Sequence, residues 1–389
     1  MIEKVEAIVK PELLAWARKS SGLSLPMAAK RIGTTEERLS TWETGERRPT
    51  INQLRKMGEV YKRPIAIFYL PMPPKGFDPI KDFRRISEKR THEYSPSLLY
   101  EIRRAYTRRE SAIDLYKELD GTIPRTKLPI IDVRDDLEKA GSIIREFFHI
   151  TYEKQMQWNT DRESFNGWRN AIESKGILVF QASRIPVEEM RGFSISKAPF
   201  PTIMVNIQDA LVARTFTLMH ELAHVLIGKE GVCDLTGHAD IEVSCNALAG
   251  AILVPKKLFL AEPEFQGRKL SSIWTDDEIN NLAGRYKVSR DVVLRRLLTI
   301  GSITTAFYKK KSSQYRELWI KQAQKEKREK KDKGGFAPPD RMVVSSFGKL
   351  FAQLVLNSYR QDKITISDVS DLLSVKLKYL PKIEMAVFS

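Results

Sequence analysis

The chain has 389 residues, of which 42% are hydrophobic and 9% aromatic, enough for two or three domains with buried cores. It has no apolar run of about 18 residues and its first residues lack the pattern of a secretory signal, so neither a membrane span nor a membrane partner is expected. With two cysteines, Cys233 and Cys245, and a net charge of +16, the chain is expected in a reducing cytoplasm, where a polyanion is a suitable partner.

Residues 11–70 predict a compact set of helices. Apolar side chains recur at helical spacing, as in Leu13, Leu14 and Ala17, and glycines separate the segments. The proline-rich residues 71–79 predict a linker, and the pattern of 96–119 predicts a long amphipathic helix.

The remainder predicts more helix than strand. Helices are expected near 133–148 and 166–174, and short strands at 177–180, around Ser194 and at 202–206. Further helices are expected at 208–228, at 241–254 and, after a break at 334–339, in a last helical segment at 343–380. The expected fold class is mainly α with a small β-sheet (α+β). The expected division is 1–72 (helix-turn-helix domain), 73–125 (linker and amphipathic helix), 126–308 (metallopeptidase domain), 309–340 (charged linker or helix) and 341–389 (C-terminal helical segment).

Positive charge is concentrated in residues 309–333. This segment has eleven basic and four acidic residues, a net charge of +7. The spacing of Glu326 and Lys330, and of Glu329 and Lys333, favours a solvated helix with i,i+4 ion pairs. A nucleic-acid contact is the alternative.

The segment that indicates chemistry is 213–228, which contains His220-Glu221-Leu222-Ala223-His224. Two histidines four residues apart lie on one face of a helix, so both rings can reach one zinc ion. Glu221, next to the first histidine, is suited to take a proton from a water molecule on the metal. With five histidines in 389 residues, a chance match has a probability below about one in a hundred.

A catalytic zinc site needs a third protein ligand, and the sequence offers several downstream. Glu242, 18 residues after His224 at the start of a predicted helix, is the strongest candidate, and Asp240 and His238 are its rivals. Asp240 and Asn246 are also candidates to orient the histidine rings by accepting their free N–H groups. The two cysteines are expected to be small buried packing residues, although a thiolate can bind zinc.

Residues 203–255 resemble the ImmA/IrrE family of metallo-endopeptidases. The family pattern is an apolar strand ending in Asn, then Arg-x-Phe-Thr-x-x-His-Glu, then Glu-x-x-x-Asn with a downstream Ala and Pro. The matching residues here are Asn206, Arg214, Phe216, Thr217, His220, Glu221, Glu242, Asn246, Ala249 and Pro255, with Leu248 where phenylalanine is commoner. The resemblance implies a zinc cofactor on His220, His224 and Glu242, Glu221 as the catalytic glutamate, and a specific repressor or toxin partner as substrate.

Residues 23–45 resemble an XRE-type helix-turn-helix, with 23–33 as its first helix and 35–45 as its recognition helix. Thr34 is expected to cap the recognition helix. The resemblance implies a DNA partner and is compatible with a homodimer. The residues expected to contact DNA are Thr35, Arg38 and Thr41, at base edges, and Arg47 and Arg48, at phosphates.

Two features of this domain depart from the pattern. Leu25 and Pro26 stand where polar DNA-contacting residues are common, and Glu36 and Glu37 bring negative charge to the start of the recognition helix. A helical module for protein contact or dimerisation is therefore the alternative. Residues 279–298 are also helix-turn-helix-like, but are expected to form a structural cap on the peptidase.

Two functions follow from these patterns. The first is a zinc endopeptidase that cleaves a regulatory protein, with DNA binding setting its location. The second is a non-proteolytic DNA-binding regulator or antitoxin that uses the zinc domain to sense or bind a partner. A zinc deaminase is disfavoured because no Cys-x-x-Cys segment accompanies a His-x-Glu.

Overall fold

A computed structural model describes residues 5–74, 94–119, 127–227, 238–268, 273–332 and 338–388. The chain divides into two compact units, Met1–Thr107 and Arg108–Ser389. The finer five-part division expected from the sequence stays a prediction. None of the helices in the described ranges combines the length and apolarity that crossing a bilayer requires.

The first unit begins with four short helices, α1 (Pro11–Lys19), α2 (Leu25–Ile32), α3 (Glu36–Thr44) and α4 (Ile51–Tyr61), followed by a 3₁₀ turn (Ile65–Tyr69) and the start of α5 (Pro96–Glu118). Their buried side chains form one core that includes Leu14, Ala28, Leu39, Trp42, Leu54 and Phe68. Hydroxyl groups of Ser24, Thr35 and Thr50 cap α2, α3 and α4.

The predicted cap of the recognition helix was wrong by one residue. Thr35, and not Thr34, has the extended backbone of an N-cap, and its hydroxyl accepts from the amide of Arg38 at 3.3 Å. Gly33 ends α2 with a φ of +83°, a left-handed conformation that glycine adopts without strain. Thr34 therefore connects the left-handed Gly33 to the next helix, and Thr35 becomes the residue that caps α3.

The second unit surrounds a small sheet with helices. In chain order its elements are α6 (Leu137–Phe147), α7 (Tyr152–Met156), α8 (Asp161–Glu173), β1 (Leu178–Ala182), β2 (Gly192–Ile195), β3 (Thr202–Asn206), α9 (Leu211–Ile227), α10 (His238–Leu253), α11 (Lys256–Leu260), α12 (Asp276–Tyr286), α13 (Arg290–Thr299), α14 (Thr305–Asp332), α15 (Pro339–Arg360), α16 (Ile366–Leu373) and α17 (Leu380–Phe388). The prediction of a mainly helical fold with a small sheet is confirmed.

The sheet has the order β1-β3-β2. β1 runs parallel to β3, with Leu178 opposite Thr202, whereas β2 runs antiparallel to β3, with Gly192 opposite Val205. β2 is thus an edge strand of the described sheet, and β3 leads directly into α9.

Helices cover both faces of the sheet. Val179 belongs to the same core as Leu218 and Leu222 of α9. Its neighbour Phe180 makes an edge contact with Phe351 of α15, with ring centroids 5.6 Å apart. Because successive residues of a strand point to opposite faces, α9 and α15 pack on opposite sides of the sheet.

Several element boundaries differ from the predicted ones. α8 begins at Asp161, earlier than expected, because the Thr160 hydroxyl accepts from the amide of Glu163 and caps the helix there. The predicted last segment is not one helix but α15, α16 and α17.

Residues 279–298 form most of α12 and α13, whose apolar residues join the main core of the second unit. This packing agrees with the prediction that residues 279–298 form a structural cap and not a second DNA-binding motif.

Candidate metal centre

Side-chain hydrogen bonds fix the backbone at the turn between β3 and α9. The side-chain amide of Asn206 donates to the carbonyls of Ile185 and Met190, at 2.9 and 2.8 Å, and so closes the loop between β1 and β2. The Arg214 guanidinium donates to the carbonyl of Asp209 at 2.8 Å and pins the first turn of α9. The Asn and Arg of the sequence pattern therefore act by fixing the backbone that carries the histidines.

Three side chains converge at the middle of α9 and the start of α10. The Nε2 atoms of His220 and His224 lie 3.1 Å apart. The carboxylate oxygens of Glu242 lie 3.4 Å from Nε2 of His220 and 3.2 Å from Nε2 of His224. The ligand atoms of His220, His224 and Glu242 all lie within 4.8 Å of one another, which is close enough for the three side chains to share one metal ion.

This arrangement fits zinc. A tetrahedral zinc ion at about 2.0–2.1 Å from its nitrogen ligands would hold neighbouring ligand atoms about 3.3 Å apart, close to the three observed separations. Two imidazoles and one carboxylate are also a ligand set of catalytic zinc, which keeps a fourth position open. Of the predicted rivals, Asp240 is exposed and outside the group, and the His238 side chain lies outside the described residues, as does Cys233.

Glu221 is buried on α9 between the two histidines in sequence, with 8% of its surface exposed. Burial raises the pKa of its carboxyl group. The charges of His224 and His220 and a hydrogen bond with Ser194 oppose this effect. A carboxyl group whose ionisation is made costly by burial and eased by neighbouring charge is suited to accept and return a proton.

The edge strand β2 packs directly on Glu221. A Cβ atom on Gly192 would lie 2.5 Å from Cγ2 of Thr217 and 3.1 Å from Cγ of Glu221, so only glycine allows this approach. Ser194, two residues later, points to the same face of the strand, which is why its hydroxyl reaches Glu221. The sequence analysis missed Ser194, because a four-residue strand carries no signal of what lies opposite it.

Cys245 is the second contact that the sequence analysis missed. It is fully buried, as expected for a packing residue, but its thiol is also hydrogen-bonded to the ring of His224. Its spacing, three residues after Glu242 in one helix, was the available signal. Asn246 does not orient a histidine: its amide donates to the backbone carbonyl of Glu242 at 2.8 Å. The Nδ1 atom of His220 is buried and has no hydrogen-bond partner among the described residues.

The predicted DNA-contacting residues lie on and after α3. Thr35, Arg38, Arg47 and Arg48 are exposed, whereas Thr41 is half-buried. The hydroxyl of Thr35 caps α3, and that of Thr41 donates to the carbonyl of Arg38 at 2.9 Å, so both hydroxyls are used within the helix. The three arginines line one surface cleft of about 540 Å³ beside Trp42 and Gln53, where Glu6 and Glu46 reduce their positive charge.

A histidine-bearing helix beside a small mixed sheet, with a glutamate from the next helix, is the arrangement of a metallopeptidase-like domain. Residues 172–298 match the family model described as IrrE N-terminal-like domain, a peptidase family. Residues 14–68 match the model described as Helix-turn-helix. Both parts of the resemblance predicted from the sequence are thereby confirmed. No significant match was found among curated proteins or solved structures.

Proposed function

We propose that this protein is a zinc-dependent endopeptidase and transcriptional regulator that cleaves a specific regulatory protein. The observation that carries the proposal is the convergence of His220, His224 and Glu242 to mutual separations of 3.1–3.4 Å beside the buried Glu221. The match of residues 172–298 to a peptidase family supports the same reaction class.

His220, His224 and Glu242 would hold the zinc ion, which when bound supplies a Lewis acid that polarises a peptide carbonyl and acidifies water. Glu221 would accept the proton of the attacking water and return it to the leaving amine. Ser194 would hold the Glu221 carboxylate in position through its hydroxyl. A substitution of Glu221 is expected to leave metal binding intact, because the proposed role of this residue is proton transfer and not metal ligation.

The substrate proposed is a specific regulatory protein, either a repressor or a toxin-antitoxin partner, in the cytoplasm. The helix-turn-helix match at 14–68 supports binding to DNA, where such a substrate would be concentrated. Arg47 and Arg48, exposed around one cleft, are the proposed phosphate contacts, and Arg38 of the same cleft is the proposed base contact. The hydroxyls of Thr35 and Thr41 would act mainly by shaping α3.

The direct test compares four variants of the full chain. His220→Ala, His224→Ala and Glu242→Gln should lose zinc in metal analysis, whereas Glu221→Gln should retain it. The wild type, incubated or co-expressed with the proteins encoded by neighbouring genes, should cleave one of them, and Glu221→Gln should cleave none. Full zinc content in Glu242→Gln, or cleavage that survives Glu221→Gln, would reject the proposed site.

The second candidate function is a regulator or antitoxin without proteolysis. The helix-turn-helix match and the exposed Arg47 and Arg48 favour it. It predicts that Glu221→Gln leaves the regulatory phenotype unchanged while His224→Ala abolishes it.

DNA binding has its own test under either function. Each phosphate contact contributes about 0.9 to the slope of log affinity against log salt. Arg47→Ala combined with Arg48→Ala should therefore lower the slope for DNA upstream of its own operon by about two. An unchanged slope in this double variant would exclude both arginines as phosphate contacts.

A further inference from the structure

A second cleft in the first unit has an unusual charge pattern. It has a volume of about 480 Å³ and lies between the end of α4, the following turn and α5. Three cationic side chains line it, Arg55, Lys62 and Arg63, together with the ring of Tyr100 and a single carboxylate, Glu59. The carboxylate of Glu59 is already within 3.2 Å of the ammonium group of Lys56.

Arg63 is the central cation of this cleft. Its guanidinium lies over the ring of Trp16, 4.5 Å from the centroid, and Nη2 donates to the hydroxyl of Ser20 at 3.0 Å. Its Nε atom is buried and has no hydrogen-bond partner among the described residues. Neither an indole ring nor a hydroxyl neutralises a full positive charge, and burial lowers the pKa of Arg63.

A second guanidinium increases the excess of positive charge. Arg103 of α5 donates to the carbonyl of Ser20 at 2.8 Å and faces the carbonyl of Tyr61. Burial, with repulsion from Arg63, lowers the pKa of Arg103 to about 10. The two carbonyls are at the ends of α1 and α4, where partial negative charge suits a cation. Arg103 therefore has a structural role, whereas Arg63, Arg55 and Lys62 have no ion-pair partner within the described ranges.

We propose that this cleft binds a phosphate group, with Arg63 as the central ligand, Arg55 and Lys62 at its edge and Tyr100 as an aromatic wall. Guanidinium groups donate charge-assisted hydrogen bonds to phosphate oxygens, and the cleft has the size of a small-molecule site. The phosphate is either that of a free phosphorylated molecule of nucleotide size or one of the DNA backbone. The inference does not depend on peptidase activity, because every residue in it belongs to the first unit.

The experiment measures binding of ADP, inorganic pyrophosphate and a short DNA duplex to the full chain by calorimetry at low salt. The variants are Arg55→Ala, which removes an exposed side chain, Arg63→Gln, and the two combined. Lys257→Ala, which removes an exposed cation of α11 and changes the net charge as much as either single variant does, is the matched control for those two. The zinc site is identical in all of them, so binding of the probes to zinc cancels in the comparison.

We expect saturable binding of ADP or pyrophosphate in the wild type and in Lys257→Ala, with at least tenfold weaker binding in the combined variant. A loss confined to the duplex would assign the phosphate to DNA. Arg55→Ala should show part of the loss without a change in melting temperature, which separates binding from folding. If no probe binds, or if all variants bind as the wild type does, the cleft is not a phosphate site.

Discussion

Gly192 of β2 lies so close to Glu221 of α9 that a methyl group on its Cα would sit 3.1 Å from Cγ of the glutamate. The same methyl group would meet the Met204 carbonyl oxygen at 2.9 Å and Thr217 at 2.5 Å. The edge strand β2 therefore packs directly against Glu221, the proposed proton acceptor, and restricts the position of its side chain.

Gly192→Ala should push β2 away from α9. Overpacking of this kind costs about 1–3 kcal/mol, and we expect a lower melting temperature together with at least a tenfold loss of peptidase activity at unchanged zinc content. Gly284→Ala is the control, since nothing lies within 4 Å of the added atom and its helix favours alanine. Equal activity in the two variants would show that contact between β2 and α9 does not matter for catalysis.

Glu221→Gln should stabilise the zinc-free protein at neutral pH. Burial raises the pKa of Glu221 above its ordinary value of 4.5 in the folded state. The stability contributed by this group is then complete below pH 4.5 and is lost as the pH rises through the folded-state pKa. Glutamine cannot ionise, so the variant avoids this loss.

We expect a gain of about 1 kcal/mol at pH 7.5 that shrinks toward pH 4.5, measured by urea unfolding of chelator-treated protein. Ser194→Ala should have the opposite effect, because it removes a hydrogen bond that favours the ionised carboxylate. A Glu221→Gln variant that is less stable at pH 7.5 than the wild type would contradict the stated direction of the pKa shift.

The three proposed metal ligands could be predicted from the sequence, whereas the residues that pack around them could not. His220 and His224 are linked by helical periodicity, which is local, and Glu242 by a short spacing. Ser194 and Gly192 reach Glu221 across a sheet, a contact that no local pattern encodes. The cap of α3 was misplaced because a left-handed Gly33 shifts the helix start by one residue.

Zinc binding should release about one proton at pH 7. In the metal-free protein, burial lowers the pKa of His224, but its hydrogen bonds to Cys245 and Glu242 outweigh this and raise the pKa to about 11. The ring is then protonated at neutral pH and must lose its proton to bind a metal. Zinc affinity is therefore expected to rise with pH.

The number of protons follows from calorimetric titrations of zinc at pH 7 in two buffers of different ionisation enthalpy. A slope near one proton per zinc is expected. Identical enthalpies in the two buffers would mean that His224 is already neutral in the metal-free site.

The fully buried ion pair between Arg169 and Glu173 of α8 should hold the C-terminal helices in the second unit. Nη1 of Arg169 donates to the carbonyls of Val344 and Ser345, at 2.9 and 2.7 Å, and the Glu173 carboxylate accepts from the amide of Lys349 at 2.8 Å. The pair thus joins α8 to both sides of the break in α15 at Gly348.

Glu173→Gln keeps the shape of the side chain but leaves the guanidinium of Arg169 buried without a counter-charge. Breaking a buried pair in this way costs about 3–5 kcal/mol, whereas Asp114→Asn, which removes an exposed pair with Lys117, should cost well under 1 kcal/mol. Urea unfolding should show the larger loss, and protease cleavage near residue 340 should become faster in Glu173→Gln alone. Since the carboxylate reaches the backbone on the far side of Gly348, a Glu173→Gln variant as stable as Asp114→Asn would mean that α15 is held by its apolar face and not by this pair.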